Sequence, residues 1–294
     1  MKSTLKQLIT EGKTLVSDGA WGTFLQAKGL KAGECPELWN ITNPDAVFDI
    51  AKSYIDAGSD TIETNSFGGN VFKLEKFDLQ DKVYEINFQA SILSRKAAGD
   101  DKYVLGSVGP TGKMLIMGDV TEDELYEAFK NQVVALAEGG ADAIVIETMT
   151  ALDEAEIAVK ATKENTKCEV ICTMTFDKMV TGDYRTMMGV SPAEMVETLK
   201  NAGVDILGAN CSNGIEGMIE ITKEIRRVDA EIPILIHANA GLPCLVEGAT
   251  VFPESPEMMA SFAPALKAAG ANIIGGCCGT SPEHIRKIAR SIGK

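Results

Sequence analysis

The sequence contains few histidines and lacks the usual phosphate-binding motifs. Its 294 residues include only His237 and His284, which cannot form the His-x-x-x-His pair of zinc proteases. No Gly-x-Gly-x-x-Gly turn follows the first predicted strand, and no complete Gly-x-x-x-x-Gly-Lys-Ser/Thr loop occurs. The sequence therefore disfavours a binding site for a dinucleotide or a nucleoside triphosphate.

Long apolar runs and an excess of positive charge are also missing. The apolar stretches are much shorter than the ~20 residues that span a bilayer, and the first residues contain no apolar signal segment, so we expect a cytoplasmic protein. Lys and Arg number 28 against 42 Asp and Glu, and the net charge of −14 disfavours nucleic acid and anionic membranes as partners. Hydrophobic residues make up 45% of the chain, enough for a substantial core.

Short β-branched runs alternate eight times with longer segments that have apolar residues at helical spacing. The predicted strands cover residues 14–20, 61–67, 103–109, 143–149, 169–176, 206–212, 233–240 and 272–279. No Pro/Ser-rich linker or change of composition interrupts this series. We therefore predict the α/β class and a closed (β/α)8 TIM barrel, forming a single domain over residues 1–294.

Polar residues and cysteines recur at the predicted strand ends, where barrel enzymes build their active sites. The residues concerned are Asp18, Glu63, Asn65, Glu147, Asn210, Cys211, Asn239, Cys277 and Cys278. A single Asn or Asp at such a place is more often a turn or cap residue. Their joint placement at one end of the barrel favours a functional site.

The cysteines give the most specific signal. In Gly-Gly-Cys-Cys-Gly-Thr at 275–280, Cys277 and Cys278 lie between glycines, whose small size lets the backbone bring both sulfurs close to one point. Cys211 ends the sixth predicted strand, and inward residues of alternate barrel strands share a layer. Three thiolates that meet at the mouth suit a zinc ion whose fourth position is open, which is typical of a catalytic site.

Other interpretations of the cysteines stay open. Copper(I) or an iron–sulfur cluster also accepts thiolates, although no fourth cysteine or Cys-x-x-Cys spacing accompanies the three. Cys277 and Cys278 could instead form a vicinal disulfide, act as a redox dithiol, or be two small buried side chains. The cysteines interpreted as structural are Cys35, Cys168, Cys172 and Cys244. His237 is expected to be a satisfied core residue and His284 a surface residue of the last helix.

Three thiolates carry more negative charge than one zinc ion neutralises. Such a centre polarises water poorly but can hold a further sulfur as a nucleophilic thiolate at neutral pH. Alkyl transfer to sulfur is therefore favoured over hydrolysis.

Seven motifs together connect the chain to a known family. They are Asp-Gly-Ala-Trp-Gly-Thr at 18–23, Thr-Asn-Ser-Phe-Gly-Gly at 64–69, Gly-Pro-Thr-Gly at 109–112, Glu-Thr-Met at 147–149, Asn-Cys-Ser at 210–212, Asn-Ala-Gly-Leu-Pro at 239–243, and Gly-Gly-Cys-Cys-Gly-Thr-Ser-Pro-Glu-His at 275–284. With these motifs the chain resembles the homocysteine S-methyltransferase family, including the homocysteine module of cobalamin-dependent methionine synthase.

The resemblance implies a (β/α)8 barrel in which Cys211, Cys277 and Cys278 bind zinc, with the sulfur of homocysteine on the metal. It also implies that Asp18 and Glu147 hold the substrate ammonium group. Two asparagines of the motifs are further substrate-binding candidates, Asn210 and Asn239. Asn239 matches a position that fills the open site of the metal when no substrate is present.

The resemblance leaves the methyl donor open. The Asn-Ser-Phe and Gly-Pro-Thr-Gly segments are most similar to the corrinoid-dependent branch, so methylcobalamin or a methylcorrinoid protein is the expected donor. The alternatives are donors such as S-methylmethionine, S-adenosylmethionine or betaine, and a non-catalytic thiol-binding subunit of a corrinoid system. Residues 29–43 and 181–190 are predicted to be mouth loops that select the donor.

Overall fold

Eight parallel strands form the central sheet. The structure is a computed structural model that describes residues 2–246 and 249–294. The strands are β1 (Leu15–Val16), β2 (Thr61–Glu63), β3 (Tyr103–Val108), β4 (Ala143–Met149), β5 (Glu169–Met174), β8 (Ile206–Asn210), β9 (Ile234–Ala238) and β12 (Ile273–Gly276). Their order in the sheet is β1, β12, β9, β8, β5, β4, β3, β2. Two antiparallel hairpins follow β5 and β9, namely β6 (Asp177–Lys178) with β7 (Tyr184–Arg185), and β10 (Cys244–Val246) with β11 (Ala249–Val251).

Side chains help to close the barrel between β1 and β2. The Asp60 N–H donates to the carbonyl of Val16 at 2.7 Å, and the Asp60 carboxylate accepts the Val16 N–H at 2.9 Å. Nearer the mouth, the Asp18 carboxylate accepts the Glu63 N–H at 3.0 Å. These contacts join the two ends of the sheet, and the predicted (β/α)8 barrel is confirmed.

The described residues form twelve α-helices. They are α1 (Leu5–Thr10), α2 (Gly22–Ala27), α3 (Trp39–Thr42), α4 (Pro44–Asp56), α5 (Val71–Leu74), α6 (Val83–Ala98), α7 (Glu122–Glu138), α8 (Leu152–Asn165), α9 (Pro192–Ala202), α10 (Ile215–Val228), α11 (Pro256–Ala269) and α12 (Pro282–Ser291). Local sequence sets several ends. Ser191 and Glu194 form a capping box at the start of α9, and Gly203 ends that helix in the left-handed conformation.

Helix α1 closes the amino-terminal end of the barrel. Leu5 and Ile9 belong to an apolar cluster with inward residues of the strands, among them Leu105 and Val145. The Glu169 carboxylate accepts the N–H of Leu5 at 2.6 Å and so fixes the first turn of α1. The lower interior is therefore apolar and closed, which leaves the carboxyl ends of the strands as the open side.

All eight predicted strands are present, and β4 has the predicted bounds. The other strands end between one and four residues earlier than predicted. The chain leaves the sheet at these ends, and Cys211 and Ser212 do so with positive φ angles of 62° and 56°. The predicted mouth loops contain α3 and β7. Among residues 2–246 and 249–294, no helix combines the length and the apolar character needed to cross a membrane.

Candidate active site

A cavity of about 260 Å³ opens at the carboxyl ends of the strands. Its lining includes the three candidate cysteines and two carboxylates that were predicted at strand ends, Glu63 and Glu147. The predicted first loop contributes Pro36 and Glu37 to this lining. Pockets for drug-sized ligands hold roughly 300–1,000 Å³, so the cavity is suited to a small metabolite.

The sulfur atoms of Cys211, Cys277 and Cys278 form one cluster at the mouth, and all three lie within 4.8 Å of one another. Cys211 Sγ and Cys278 Sγ are 3.9 Å apart. A tetrahedral zinc ion with Zn–S distances of about 2.3 Å holds its sulfurs about 3.8 Å apart. All seven cysteines, each within the described residues, are free. The cluster therefore fits a zinc ion by its chemistry and by its spacing.

Cys211 lies in a turn whose backbone is strained. Its positive φ belongs to the left-handed region, which is costly for a non-glycine residue and is often found at functional sites. The Cys211 N–H donates to the carbonyl of His237 at 3.1 Å, and the Asn213 N–H donates to the carbonyl of Cys211 at 2.6 Å. The Asn213 side chain in turn donates to the carbonyl of Phe176 at 2.6 Å. Contacts from two neighbouring segments, at His237 and Phe176, thus fix the turn that carries this sulfur.

Glycines beside Cys277 make room for the neighbouring strands. A Cβ atom on Gly275 would lie 2.8 Å from the carbonyl oxygen of Asp18, and one on Gly276 would lie 2.3 Å from Thr280 Oγ1. Thr280 Oγ1 donates to the carbonyl of Cys277 at 2.7 Å. A larger residue at Gly276 would therefore displace the hydroxyl that holds the Cys277 backbone.

Of the three thiols, Cys211 loses its proton most readily. Hydrogen bonds from Cys277 and Cys278 lower the pKa of Cys211 far below that of a free thiol. The same contacts with Cys211 raise the pKa of Cys277 and of Cys278. A cation at the centre would replace these shared protons and would favour the thiolate form of all three.

Asp18 is fully buried next to the cavity, whose lining includes its neighbour Gly19. Its Oδ2 accepts hydrogen bonds from Trp21 Nε1 at 2.9 Å and from the Glu63 N–H at 3.0 Å, while Ser17 Oγ donates to Oδ1 at 3.1 Å. Burial raises the pKa of Asp18, and the charge of His237 and these hydrogen bonds oppose that rise. Both oxygens of Asp18 are therefore already used within the protein.

Glu147, at the end of β4, lines the cavity and has a partner on each oxygen. Ser107 Oγ donates to Oε1, and Asn210 Nδ2 lies 3.3 Å from Oε2. Asn210 Oδ1 accepts from the Thr148 N–H at 2.8 Å and from Thr173 Oγ1 at 2.7 Å. Burial, followed by the charge of a neighbouring glutamate, raises the pKa of Glu147 well above its usual value. Asn210 thus contacts Glu147 from a fully buried position.

Glu63 and His237 form a second buried pair in the lining. His237 Nδ1 lies 3.3 Å from Glu63 Oε1. Within the described residues, neither Glu63 Oε1 nor His237 Nε2 has a hydrogen-bond partner. Burial and then the charge of Asp18 raise the pKa of Glu63, whereas burial lowers the pKa of His237. The expectation that His237 is a satisfied core residue is wrong, because one of its ring nitrogens is buried without a partner.

Asn239 belongs to the thiol side of the cavity. Its side chain makes a hydrogen bond to Cys211 that contributes to the low pKa of that thiol. Asn239 is 2% exposed, and its Oδ1 has no hydrogen-bond partner among the described residues. Asn239 therefore lies beside the cysteine cluster.

The expectation that His284 is a surface residue is wrong. His284 is buried, and its Nδ1 accepts the N–H of Ser281 at 3.1 Å in the cap of α12. Its Nε2 lies 3.1 Å from the carbonyl oxygen of Glu254. Since Ser281 is the N-cap of α12, a ring at the third helical position turns back onto the cap and becomes covered.

The cysteines outside the cluster are spread over the molecule. Cys172 is fully buried in β5, and Cys168 donates to the carbonyl of Ala141 at 3.4 Å. Cys35 Sγ lies 3.3 Å from a carboxylate oxygen of Glu37. Cys244 is exposed in the hairpin after β9.

Sequence reasoning did not select several residues that hold the site together. Trp21, Thr148 and Thr280 all lie inside the quoted motifs, so their position in a motif could have identified them as site residues. Ser107 lies in a plain β3 sequence and carries no such signal. Glu63 was predicted at a strand end but not as a substrate-binding residue, because its position in the cavity depends on contacts with residues distant in sequence.

Comparison with known proteins identifies relatives over the whole barrel. The family model described as homocysteine S-methyltransferase matches residues 15–292. Methionine synthase of Mycobacterium tuberculosis is 32% identical in an alignment of 298 positions, gaps included, that covers 95% of this chain and 25% of the relative. The methionine synthase of Mycobacterium leprae is 31% identical in an alignment of 300 positions that covers 96% of this chain and 24% of the relative. The chain thus spans about a quarter of the length of these relatives.

A solved structure shows the same fold. The metallated form of the homocysteine methyltransferase MmuM from Escherichia coli superimposes with a TM-score of 0.79 at 22% identity. The match covers 97% of this chain and 99% of that protein. At this identity the likeness supports the fold, while the family rests on the sequence matches.

Proposed function

The chain belongs to the homocysteine S-methyltransferase family, and we propose that its barrel transfers a methyl group from an external donor to the thiol of homocysteine, forming methionine. The observation that carries this proposal is the cluster of Cys211, Cys277 and Cys278 at the mouth of a closed-bottomed cavity. In the transfer, a bond forms between the substrate sulfur and the methyl carbon. The bond between that carbon and the donor breaks, its electron pair leaves with the donor, and the thiol proton goes to solvent.

We propose that Cys211, Cys277 and Cys278 hold a zinc ion. The spacing of their sulfurs supports this assignment, and a set of three protein ligands leaves a position open for a substrate. When bound, zinc lowers the pKa of a coordinated thiol, so that a nucleophilic thiolate exists at neutral pH. The strained turn at Cys211 and the glycines beside Cys277 hold the three sulfurs close together.

The carboxylates opposite the cysteines are proposed to orient the amino acid part of the substrate. Glu147 lines the cavity with its carboxylate held by Ser107 and Asn210, so it can accept a hydrogen bond from an ammonium group without moving. Asp18 supports this side by accepting the hydrogen bond of the Glu63 N–H. Asn239, beside Cys211, is assigned to the open side of the metal site.

A methylcorrinoid carried by a separate protein or module is the proposed donor. The barrel is closed below by α1, so the methyl group has to arrive from the mouth. Loops at the mouth expose large apolar side chains, with Ile116, Met117, Val180, Met187 and Leu245 between 73% and 107% exposed. Exposed apolar side chains grouped on one face are typical of an interaction surface. This rim supports a bulky partner more than a small diffusing donor.

The test is methionine formation by zinc-loaded protein given homocysteine and, in parallel, methylcobalamin, S-methylmethionine or betaine. Methylcobalamin turnover is the expected result, and turnover with another donor would correct the donor while keeping the thiol chemistry. Cys244→Ala is a matched control, because this exposed cysteine lies outside the cluster. Failure of zinc-loaded protein to bind homocysteine would overturn the proposal.

A further inference from the structure

Thr148, near the mouth end of β4, has a strained backbone. Its φ angle of 61° lies in the left-handed region, where a β-branched residue is a rare exception because its side chain crowds the backbone. Such a conformation persists only where surrounding contacts hold it, and it is found most often at functional sites. Thr148 is half-buried and lines the cavity beside Glu147. The strain therefore lies at the edge of the proposed substrate site.

The strain accompanies one extra residue in β4. In the pairing with β5, the three steps along β4 from Ile146 to Met149 match only two steps along the partner strand. The extra residue makes a β-bulge, and bulges commonly redirect side chains next to active sites.

The bulge changes which side chains face inward. Before it, Val145 belongs to the inner apolar cluster and Ile146 to the cluster that packs against the helices, as the alternation of a strand requires. After it, Met149 lies in the cluster against the helices, although alternation alone would turn it inward. The bulge therefore allows two consecutive residues, Glu147 and Thr148, to line the cavity.

The Asn210 side chain uses all of its hydrogen-bonding groups on this bulge and its neighbours. Its Oδ1 accepts from the Thr148 N–H at 2.8 Å and from Thr173 Oγ1 at 2.7 Å. Its Nδ2 donates to Thr148 Oγ1 at 2.7 Å and lies 3.3 Å from Glu147 Oε2. An amide side chain has two acceptor and two donor positions, and all four are occupied here. Asn210 is also fully buried, so it has no free group for a substrate.

Resting on the proposed function, we infer that Asn210 is a positioning residue. It holds Thr148 in the left-handed bulge, and the bulge directs the Glu147 carboxylate into the cavity. Two of the short contacts of Asn210, at 2.7 and 2.8 Å, reach Thr148, whereas its contact with Glu147 is longer. Asn210 thus acts on Glu147 mainly through the backbone between them. This role differs from the substrate contact that the sequence led us to expect for Asn210.

The first experiment separates the strain from the Thr148 hydroxyl. Thr148→Val and Thr148→Gly both remove Oγ1, but a β-branched valine stays strained in the left-handed region, whereas glycine adopts it freely. Homocysteine binding to the zinc-loaded protein is measured by titration calorimetry. The affinity should fall ~10-fold in Thr148→Val and no more than ~3-fold in Thr148→Gly, since only valine needs the lost hydrogen bond to hold the bulge. Equal losses would overturn the inference, because they would mean that the hydroxyl contacts the ligand itself.

The second experiment places Asn210→Ala in the wild-type protein and in Thr148→Gly. In the wild-type protein the affinity for homocysteine should fall ~10-fold or more. In the Thr148→Gly protein the further loss should be less than ~3-fold, since glycine keeps the bulge without the amide. The same loss in both proteins would overturn the inference. Zinc content and circular dichroism establish that each variant is folded, and if Asn210→Ala is not, the two Thr148 variants carry the test.

Asp78→Gly is the matched control. Asp78 also has a left-handed backbone, with a φ angle of 58°, but it is exposed between α5 and α6 and outside the cavity lining. Its affinity for homocysteine should equal that of wild type. A wild-type protein that does not bind homocysteine would overturn the proposed function. Equal losses among variants of a protein that does bind it would overturn this inference alone, so the two failures are distinguishable.

Discussion

The two sides of the cavity are built in different ways. On the thiol side, Cys211 and Cys277 are placed by backbone features next to them in sequence, a left-handed turn and adjacent glycines. On the carboxylate side, Glu147 and Glu63 are placed by contacts from remote segments, such as Ser107 forty residues before Glu147. The thiol side thus has a local sequence signal as well as remote contacts from His237 and Phe176, whereas the carboxylate side depends on remote contacts alone. Metal binding and substrate orientation should therefore be separable by mutation.

The largest expected effect is on the thiol side. Cys277→Ala should reduce the zinc content from about one per chain to nearly zero, since two sulfurs cannot replace a three-thiolate site. Methionine formation should then fall below detection while the fold is retained, because Cys277 contributes little to the core. Metal analysis, the activity assay and circular dichroism measure these three quantities, with Cys244→Ala as the control. Full activity in a metal-free variant would contradict the assignment.

Substrate orientation should fail separately in Glu147→Gln. This change keeps the shape but removes the charge, and both contacts persist only if the amide oxygen accepts from Asn210 while the amide NH2 donates to the Ser107 hydroxyl. Homocysteine affinity should fall ~10- to 100-fold. Zinc content should equal that of wild type. Loss of zinc in this variant would show that the two sides are not independent.

Ionised Glu147 should also lower the free energy of unfolding of the ligand-free protein at neutral pH. The pKa of Glu147 is raised in the folded protein, so between about pH 4.3 and that raised value the folded state binds more protons than the unfolded state. The stabilising contribution is complete below the unfolded pKa and is lost as pH rises through the folded pKa. His237, with a lowered pKa, acts in the opposite direction, so the comparison has to isolate Glu147.

Urea unfolding of wild type and Glu147→Gln at about pH 5 and about pH 8 makes that comparison. The free energy of unfolding of Glu147→Gln should exceed that of wild type at the higher pH, and the difference should shrink at the lower pH. A difference that grows on acidification would contradict the raised pKa.

The smallest effect is expected for Ser107→Ala. Ser107 donates to Glu147 from β3 and is 2% exposed, so its loss removes one buried hydrogen bond without removing the charge. Homocysteine affinity should fall ~2- to 10-fold with zinc content unchanged. An effect as large as that of Glu147→Gln would mean that Ser107 contacts the substrate itself.

Sequence patterns predicted the barrel because each strand and helix carries its own signal, and β4 even has the predicted bounds. The Cys277–Cys278 part of the cluster was predictable for the same reason, since the flanking glycines are visible in one segment. Cys211 could be added to it because inward residues of alternate barrel strands share a layer. The contact between His237 and Glu63 was not predictable, because the two residues are 174 positions apart in the sequence. The burial of His284 was missed because its ring turns back onto the Ser281 cap.

The most direct test of the central claim is X-ray absorption at the zinc edge of the loaded protein, before and after addition of homocysteine. We predict a shell of three sulfurs with one lighter ligand, at about 2.3 Å for sulfur, that changes to four sulfurs when homocysteine binds. A sulfur shell that stays unchanged while homocysteine is bound would contradict the claim that this cysteine cluster presents the metal to the substrate thiol.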